Sequence, residues 1–242
     1  MRLAHYKNIN TVPIYMQSMH LKDISKQIPE QLFNIIDESG IKELRPAQEK
    51  AIKKGLLERK NLLVCTPTAS GKTLIAEISM LKSILEGKGK AIYIVPLKAL
   101  ASEKFKDFKA RYGKVANIAL SIGDLDSADP YLERYDLLIC TSEKLDSLIR
   151  HNAPWLSRVS IVIVDEIHLL NDVGRGPTLE ILITMLKQLR KDLQLVALSA
   201  TIGNPRELAD WLEAELVEDS WRPVELHKGI YLNGEIEFYN KK

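Results

Sequence analysis

Six short runs along the 242-residue chain are apolar at consecutive positions instead of alternating: "NLLVC" (61–65), "AIYIV" (91–95), "ANIALS" (116–121), "DLLIC" (136–140), "SIVIVD" (160–165) and "LQLVALS" (193–199). Runs of this kind suit strands buried on both faces of a parallel sheet. Between them lie stretches with helical spacing. "GKTLIAEISMLKSILEG" is bounded by Gly71 and Gly87, "GPTLEILITMLKQLR" carries Pro177 where a first helical turn tolerates it, and "NPRELADWLEAEL" offers Asn204 as an N-cap. Two further helices, "PEQLFNIIDES" and "RPAQEKAIKKGLL", precede the first run. Near the end, "GIYLNGEIEFY" sets Asn233-Gly234 between two strand-like runs, the signature of a tight hairpin. The order is βαβα, so the expected fold class is α/β, one domain over 21–242 after an N-terminal extension of residues 1–20.

Composition narrows the setting without choosing a function. With 45% hydrophobic and 27% charged residues the chain is globular, and a formal charge of +2 leaves any nucleic-acid binding to a local basic surface. The two cysteines, Cys65 and Cys140, each end an apolar run, which predicts small buried thiols in a reducing, cytoplasmic setting. No apolar run reaches the length of a membrane span, so membrane partners are not expected.

Chemistry enters at "NLLVCTPTASGKTLIAE" (61–77). A strand, a loop of small residues and a helix opening Gly-Lys-Thr make a phosphate cradle, in which backbone N–H groups and the positive helix end face an anion. Lys72 then reaches the terminal phosphates, the Thr73 hydroxyl binds magnesium, and Gly71 lets the backbone come close. Thr66 stands where the strict pattern has glycine. The strand "SIVIVD" ends in Asp165-Glu166, at the edge where open α/β sheets bind ligands. Asp165 is the candidate magnesium ligand and Glu166 the candidate base for an attacking water. Alone, an Asp-Glu at a strand end reads as a solvated turn; the phosphate loop upstream reverses that. His168 reads either as a buried, hydrogen-bonded histidine or as a link from the nucleotide site to "SAT" (Ser199, Ala200, Thr201).

"TPTASGKT", "DEIH" and "SAT" resemble motifs I, II and III of the superfamily 2 helicases. "RPAQ" resembles the adenine-reading Q motif, "PLKALASEK" motif Ia, "GDLDS" (123–127) the following strand-contact segment, and "TSEKLDSLIR" motif Ib. With "SATIGNPRELADWL" and "WRPVEL", the pattern is most similar to the Ski-like branch, and within it to archaeal Hjm-type DNA repair helicases, relatives of the helicase part of DNA polymerase theta. The resemblance implies a RecA-like parallel sheet with helices on both faces, ATP and Mg2+ as cofactors, and a nucleotide site of Arg45, Gln48, Thr66, Pro67, Thr68, Ala69, Ser70, Gly71, Lys72 and Thr73. It also implies a strand-contact surface of Pro96, Leu97, Lys98, Ala99, Thr141, Ser142 and Lys144. The remaining lysines of "KALASEKFKDFKARYGK" read as a solvated helix face.

The activity so implied is 3′-to-5′ unwinding of forked, stalled-replication DNA by a monomeric motor, with a Holliday junction resolvase or a sliding clamp as partners. An RNA helicase of the same branch and a non-enzymatic nucleotide-binding module are the alternatives. Nothing after "SAT" resembles motifs IV to VI. The expectation is therefore a first motor domain that binds nucleotide but alone neither turns it over rapidly nor unwinds DNA.

Overall fold

The computed structural model describes residues 18–123, 129–189, 192–224, 229–232 and 234–238. Helices α1 (Glu30–Glu38) and α2 (Pro46–Lys53) lead into β1 (Leu62–Cys65), α3 (Lys72–Leu85), β2 (Lys90–Val95), α4 (Lys98–Tyr112) and β3 (Ile118–Ser121). Then follow β4 (Leu137–Thr141), α5 (Ser142–Arg150), β5 (Val159–Val164), α6 (Gly176–Leu189), β6 (Gln194–Ser199), α7 (Pro205–Leu212) and β7 (Glu215–Glu218). Seven strands form one sheet in the order β3-β4-β2-β5-β6-β1-β7, every pair parallel.

The unbroken apolar runs are explained by the two layers that cover this sheet. Successive strand side chains point to opposite faces. Val64, Tyr93, Ile139, Ile163 and Val196 join the core under α1 to α4, while Leu63, Ile92, Cys140, Val162 and Ala197 join the core under α5, α6 and α7. Both cysteines are free and buried, as expected, and burial pushes the Cys65 thiol up to about 11 and that of Cys140 to about 12. Both therefore stay protonated and unreactive.

Three expectations need correction. The pattern "NPRELADWLEAEL" predicts one helix to Leu216, but α7 stops at Leu212, Glu213 turns left-handed (φ 53°), and Glu215–Glu218 forms the edge strand β7 beside β1. Of that strand only Val217 is buried, so it leaves no apolar run to recognise. Asn204 sits at the α7 N-cap, yet its side chain caps no backbone N–H; Nδ2 donates to Glu207 Oε2 at 3.1 Å. The second N-terminal helix is also shorter than "RPAQEKAIKKGLL" suggests, ending at Lys53.

Strands β8 (Gly229–Leu232) and β9 (Glu235–Phe238) pair antiparallel across the expected two-residue turn; its Asn233 lies outside the described residues. So do most of the extension 1–20 and residues 124–127 of "GDLDS". Leu21 and Ile24, on the first described turn, are buried in the α1-to-α4 core. Among the described residues no helix is long and apolar enough to cross a membrane.

Candidate nucleotide and strand-binding site

Motifs I, Ia, Ib, II and III each leave the carboxyl end of a strand, and a parallel sheet brings those ends to one edge. β1 delivers the 66–71 loop, β5 delivers Asp165-Glu166, β6 ends in Ser199, β2 precedes Pro96–Ala99, and β4 ends at Thr141. Cys65 is the register partner of Ser199, and the Thr66 N–H donates to Ser199 O at 3.2 Å, so motifs I and III touch through backbone.

The phosphate loop is closed by its own side chains. Thr66, fully buried, shares a hydrogen bond of 2.7 Å with Ser70 Oγ across the loop. A glycine in its place would leave Ser70 without that partner. Ala69 (φ 66°) and Gly71 (φ 94°) take left-handed conformations. Gly71 is required for space as well, because a Cβ there would lie 2.5 Å from Gln48 Nε2. Lys72 opens α3, where the helix N-terminus carries roughly half a positive charge. Its Nζ folds over the loop and donates to Thr66 O (2.9 Å) and Pro67 O (3.3 Å). Burial lowers the Lys72 pKa, opposed by the carboxylates of Glu166 and Asp165.

Helix α2 docks on the outside of this loop through Gln48. The Arg45 N–H donates to Gln48 Oε1 (2.8 Å), Gln48 Nε2 donates to Gly71 O (2.9 Å), and Arg45 Nη1 donates to Ala69 O (2.7 Å). The Arg45 guanidinium also lies 5.5 Å from the Trp221 ring. Asp219 holds that segment on α2 by its ion pair with Lys50 at 2.8 Å. Beside Gln48 opens a cavity of about 530 Å³ lined by Gly40, Ile41, Arg45, Gly71, Thr73 and Arg111 among others. At its inner wall Glu77, buried on α3, is held by Arg111 (Nη1 to Oε2, 3.1 Å) and by the Tyr112 hydroxyl (3.0 Å).

Across the edge, Asp165 is fixed on both oxygens. Oδ1 accepts the Glu166 N–H (3.0 Å) and Oδ2 accepts the Tyr93 hydroxyl (2.7 Å). Burial, and then the Asp165 charge, push the Tyr93 pKa well above its ordinary value, so the phenol remains a donor. Glu166 is half-exposed with φ 52°, a strained left-handed backbone at a candidate reacting group. His168, on the 3-10 turn Ile167–Asn171, has Nδ1 3.3 Å from Glu166 Oε2 but without hydrogen-bond geometry. The Ser199 hydroxyl is buried and likewise has no hydrogen bond of good geometry; Ala200 is half-buried and Thr201 exposed. Thr73 Oγ1, near the same edge, accepts a bond of 3.3 Å from Lys104 of α4.

The expected strand-contact residues divide. Leu97, Lys98 and Ala99 are exposed and Pro96 is half-buried at the start of α4. Thr141 and Ser142 are buried, and the Thr141 hydroxyl caps α5 by accepting Lys144 N–H. The side chain of Lys144 is 2% exposed and pairs with Asp129 Oδ2 at 2.8 Å, because α5 packs its N-terminal turn inward. In this conformation its ammonium offers no surface to a nucleic acid. Pro96 and Ser142 nevertheless line one narrow cleft with Asp165 and Glu166.

A sequence model of DEAD/DEAH box helicases matches residues 45–209, which span every candidate residue from Arg45 to Thr201. The chain belongs to the DEAD/DEAH box helicase family. It is 56% identical over 218 residues to an "ATP-dependent DNA helicase Hel308" of Methanocaldococcus jannaschii, covering 87% of this chain and 18% of that protein. The protein of the same name from Methanocella arvoryzae is 49% identical over 228 residues, covering 92% and 30%. The chain thus spans less than a third of the length of these relatives. A crystal structure described as DUF1998 helicase MrfA bound to DNA superposes with a TM-score of 0.71 at 26% identity, over 81% of this chain and 30% of that one.

Within this helicase domain four contributors escape the motif reading. Tyr93 is hidden in an apolar strand run, and nothing in "AIYIV" distinguishes its hydroxyl. Lys104 lies inside "PLKALASEK" and resembles its solvated neighbours. Trp221 lies in "WRPVEL" and meets the site through its contact with Arg45. Glu77 did leave a signal, since a carboxylate four residues after Thr73, among apolar helix positions, has to be paired when buried.

Proposed function

We propose that this chain is the ATP-binding first motor domain of an ATP-dependent 3′-to-5′ DNA helicase that acts on forked DNA. The observation that carries this reading is the convergence of Lys72, Thr73, Asp165 and Glu166 on one sheet edge, with Gln48 packed against Gly71 at the mouth of the neighbouring cavity. The Hel308 relatives are DNA helicases by name, which favours DNA over RNA.

The donor set suits magnesium. Thr73 Oγ1 and the Asp165 carboxylate are hard oxygen donors, and among the described residues no three acidic, imidazole or thiol groups gather as a protein-only cage. Magnesium favours one or two protein oxygens together with substrate phosphates. When bound, it would neutralise charge on the phosphates. Lys72 would exchange its carbonyl contacts for phosphate oxygens, Tyr93 would hold Asp165 in place, and Glu166 would orient a water and take its proton. The Gln48 amide already spends one donor and one acceptor on the fold, leaving one N–H and one lone pair for an adenine edge.

Two measurements test this reading here. Calorimetry should show ATP binding more tightly than GTP, with Gln48→Ala weakening ATP more than GTP; equal affinities in the native chain would remove Gln48 as base reader. Single-stranded DNA should bind weakly, with affinity falling as salt rises by a slope of about −0.7 per neutralised phosphate. Lys98→Ala should lower that affinity and flatten the slope by about one such unit. Salt-independent tight binding would move the strand surface elsewhere.

A further inference from the structure

We infer that Lys104 is a tethered cation at the metal side of the nucleotide site, supporting nucleotide bound without Mg2+ and giving way when Mg2+ arrives. The inference rests on the nucleotide-binding reading above and goes beyond it. Lys104 Nζ donates to Thr73 Oγ1 at 3.3 Å, the same oxygen proposed as metal ligand. The ammonium also lies 6.0 Å from the centre of the Tyr93 ring, whose hydroxyl ends on Asp165. Between α3 and α4 the buried Glu77 feels the positive charge of Lys104 as well as that of Arg111. Lys104 is half-buried on the inner side of α4, unlike the exposed Lys98, Lys106 and Lys109 of the same helix.

Lys104 and a divalent ion compete for one oxygen. Thr73 Oγ1 can accept from an ammonium or coordinate a divalent ion, but two cations on one oxygen repel each other. Nucleotide phosphates without metal need a positive charge on that side; Lys72 supplies one, and Lys104 is within reach of a second. Magnesium carries twice the charge at closer range and makes Lys104 dispensable. The expected signature is therefore a change in metal dependence, not a general loss of binding.

The test is ADP binding to the 242-residue chain by calorimetry, in EDTA and in excess Mg2+, for native protein, Lys104→Met, Lys104→Gln and Lys104→Arg. Methionine keeps the apolar stem and glutamine keeps a donor, while both remove the charge. The ratio of Kd in EDTA to Kd in Mg2+ should rise at least about fivefold in both neutral variants, through weaker metal-free binding, and stay near the native value in Lys104→Arg. A ratio unchanged in either folded neutral variant, or equal losses in both buffers, would overturn the role of Lys104 while leaving the nucleotide site standing. Failure of the native chain to bind ADP in either buffer would overturn the nucleotide reading and this inference together.

Discussion

Under the proposed function, replacing Glu166 by Gln in a helicase that carries this domain is expected to cut DNA-stimulated ATP hydrolysis by roughly 10²- to 10⁴-fold, the range that a positioned general base contributes. The substitution is nearly isosteric and removes only the proton acceptor. Glu166 and His168 share no hydrogen bond of good geometry, so the change breaks none between them. Asp165 keeps both its anchors, since it is the Glu166 backbone N–H and not the side chain that donates to it. Nucleotide affinity should therefore hold within a few-fold while turnover collapses. Phosphate release at saturating DNA, read beside ATP affinity, separates these outcomes. Activity within tenfold of native would mean that another group takes the proton.

Lys72→Ala should weaken ATP binding to the 242-residue chain by at least about a hundredfold. A hydrogen bond from a charged donor contributes about 1.5–3 kcal/mol, and a lysine bridging two phosphates makes two of them. Part of that gain is offset, because Lys72 must first leave Thr66 O and Pro67 O. This places the effect toward the lower end of the sum. The fold should survive, since Lys72 is only half-buried at the first turn of α3. Unchanged affinity in a folded variant would place the nucleotide elsewhere.

The central sheet and its helices were legible because burial on both faces writes long apolar runs, and six such runs became strands. What the runs do not carry is order in space: β1 lies between β6 and β7, far from β2, and only the pairing reveals it. β7 was illegible for a different reason. An edge strand with one buried residue has no period to read, and Glu213 in a left-handed turn hides where α7 ends. At the candidate site, residues placed by the chemistry of their own loop were readable as candidates: Gly71, Lys72, Thr73, Asp165. Those that act by reaching across the fold were not. Tyr93 on Asp165 and Lys104 on Thr73 join residues 72 and 31 positions apart. The packing of Lys144 was not legible either, since nothing in "TSEKLDSLIR" shows that its side chain is buried against Asp129.

Where ATP binds is decisive, because this molecule has more than one cavity of sufficient size. One of about 680 Å³, lined by Asn61, Ile183, Lys187 and Trp211, is larger than the cavity beside Gln48 and lies among residues near the opposite ends of the strands. Amide hydrogen exchange of the native chain with and without ATP and Mg2+ distinguishes the two directly. Nucleotide should slow exchange in the 66–74 loop and first turn of α3, with weaker protection at 165–168 and around Gln48. Protection confined to the α6 and α7 surface, with the 66–74 amides unchanged at saturating ATP, would contradict the assignment.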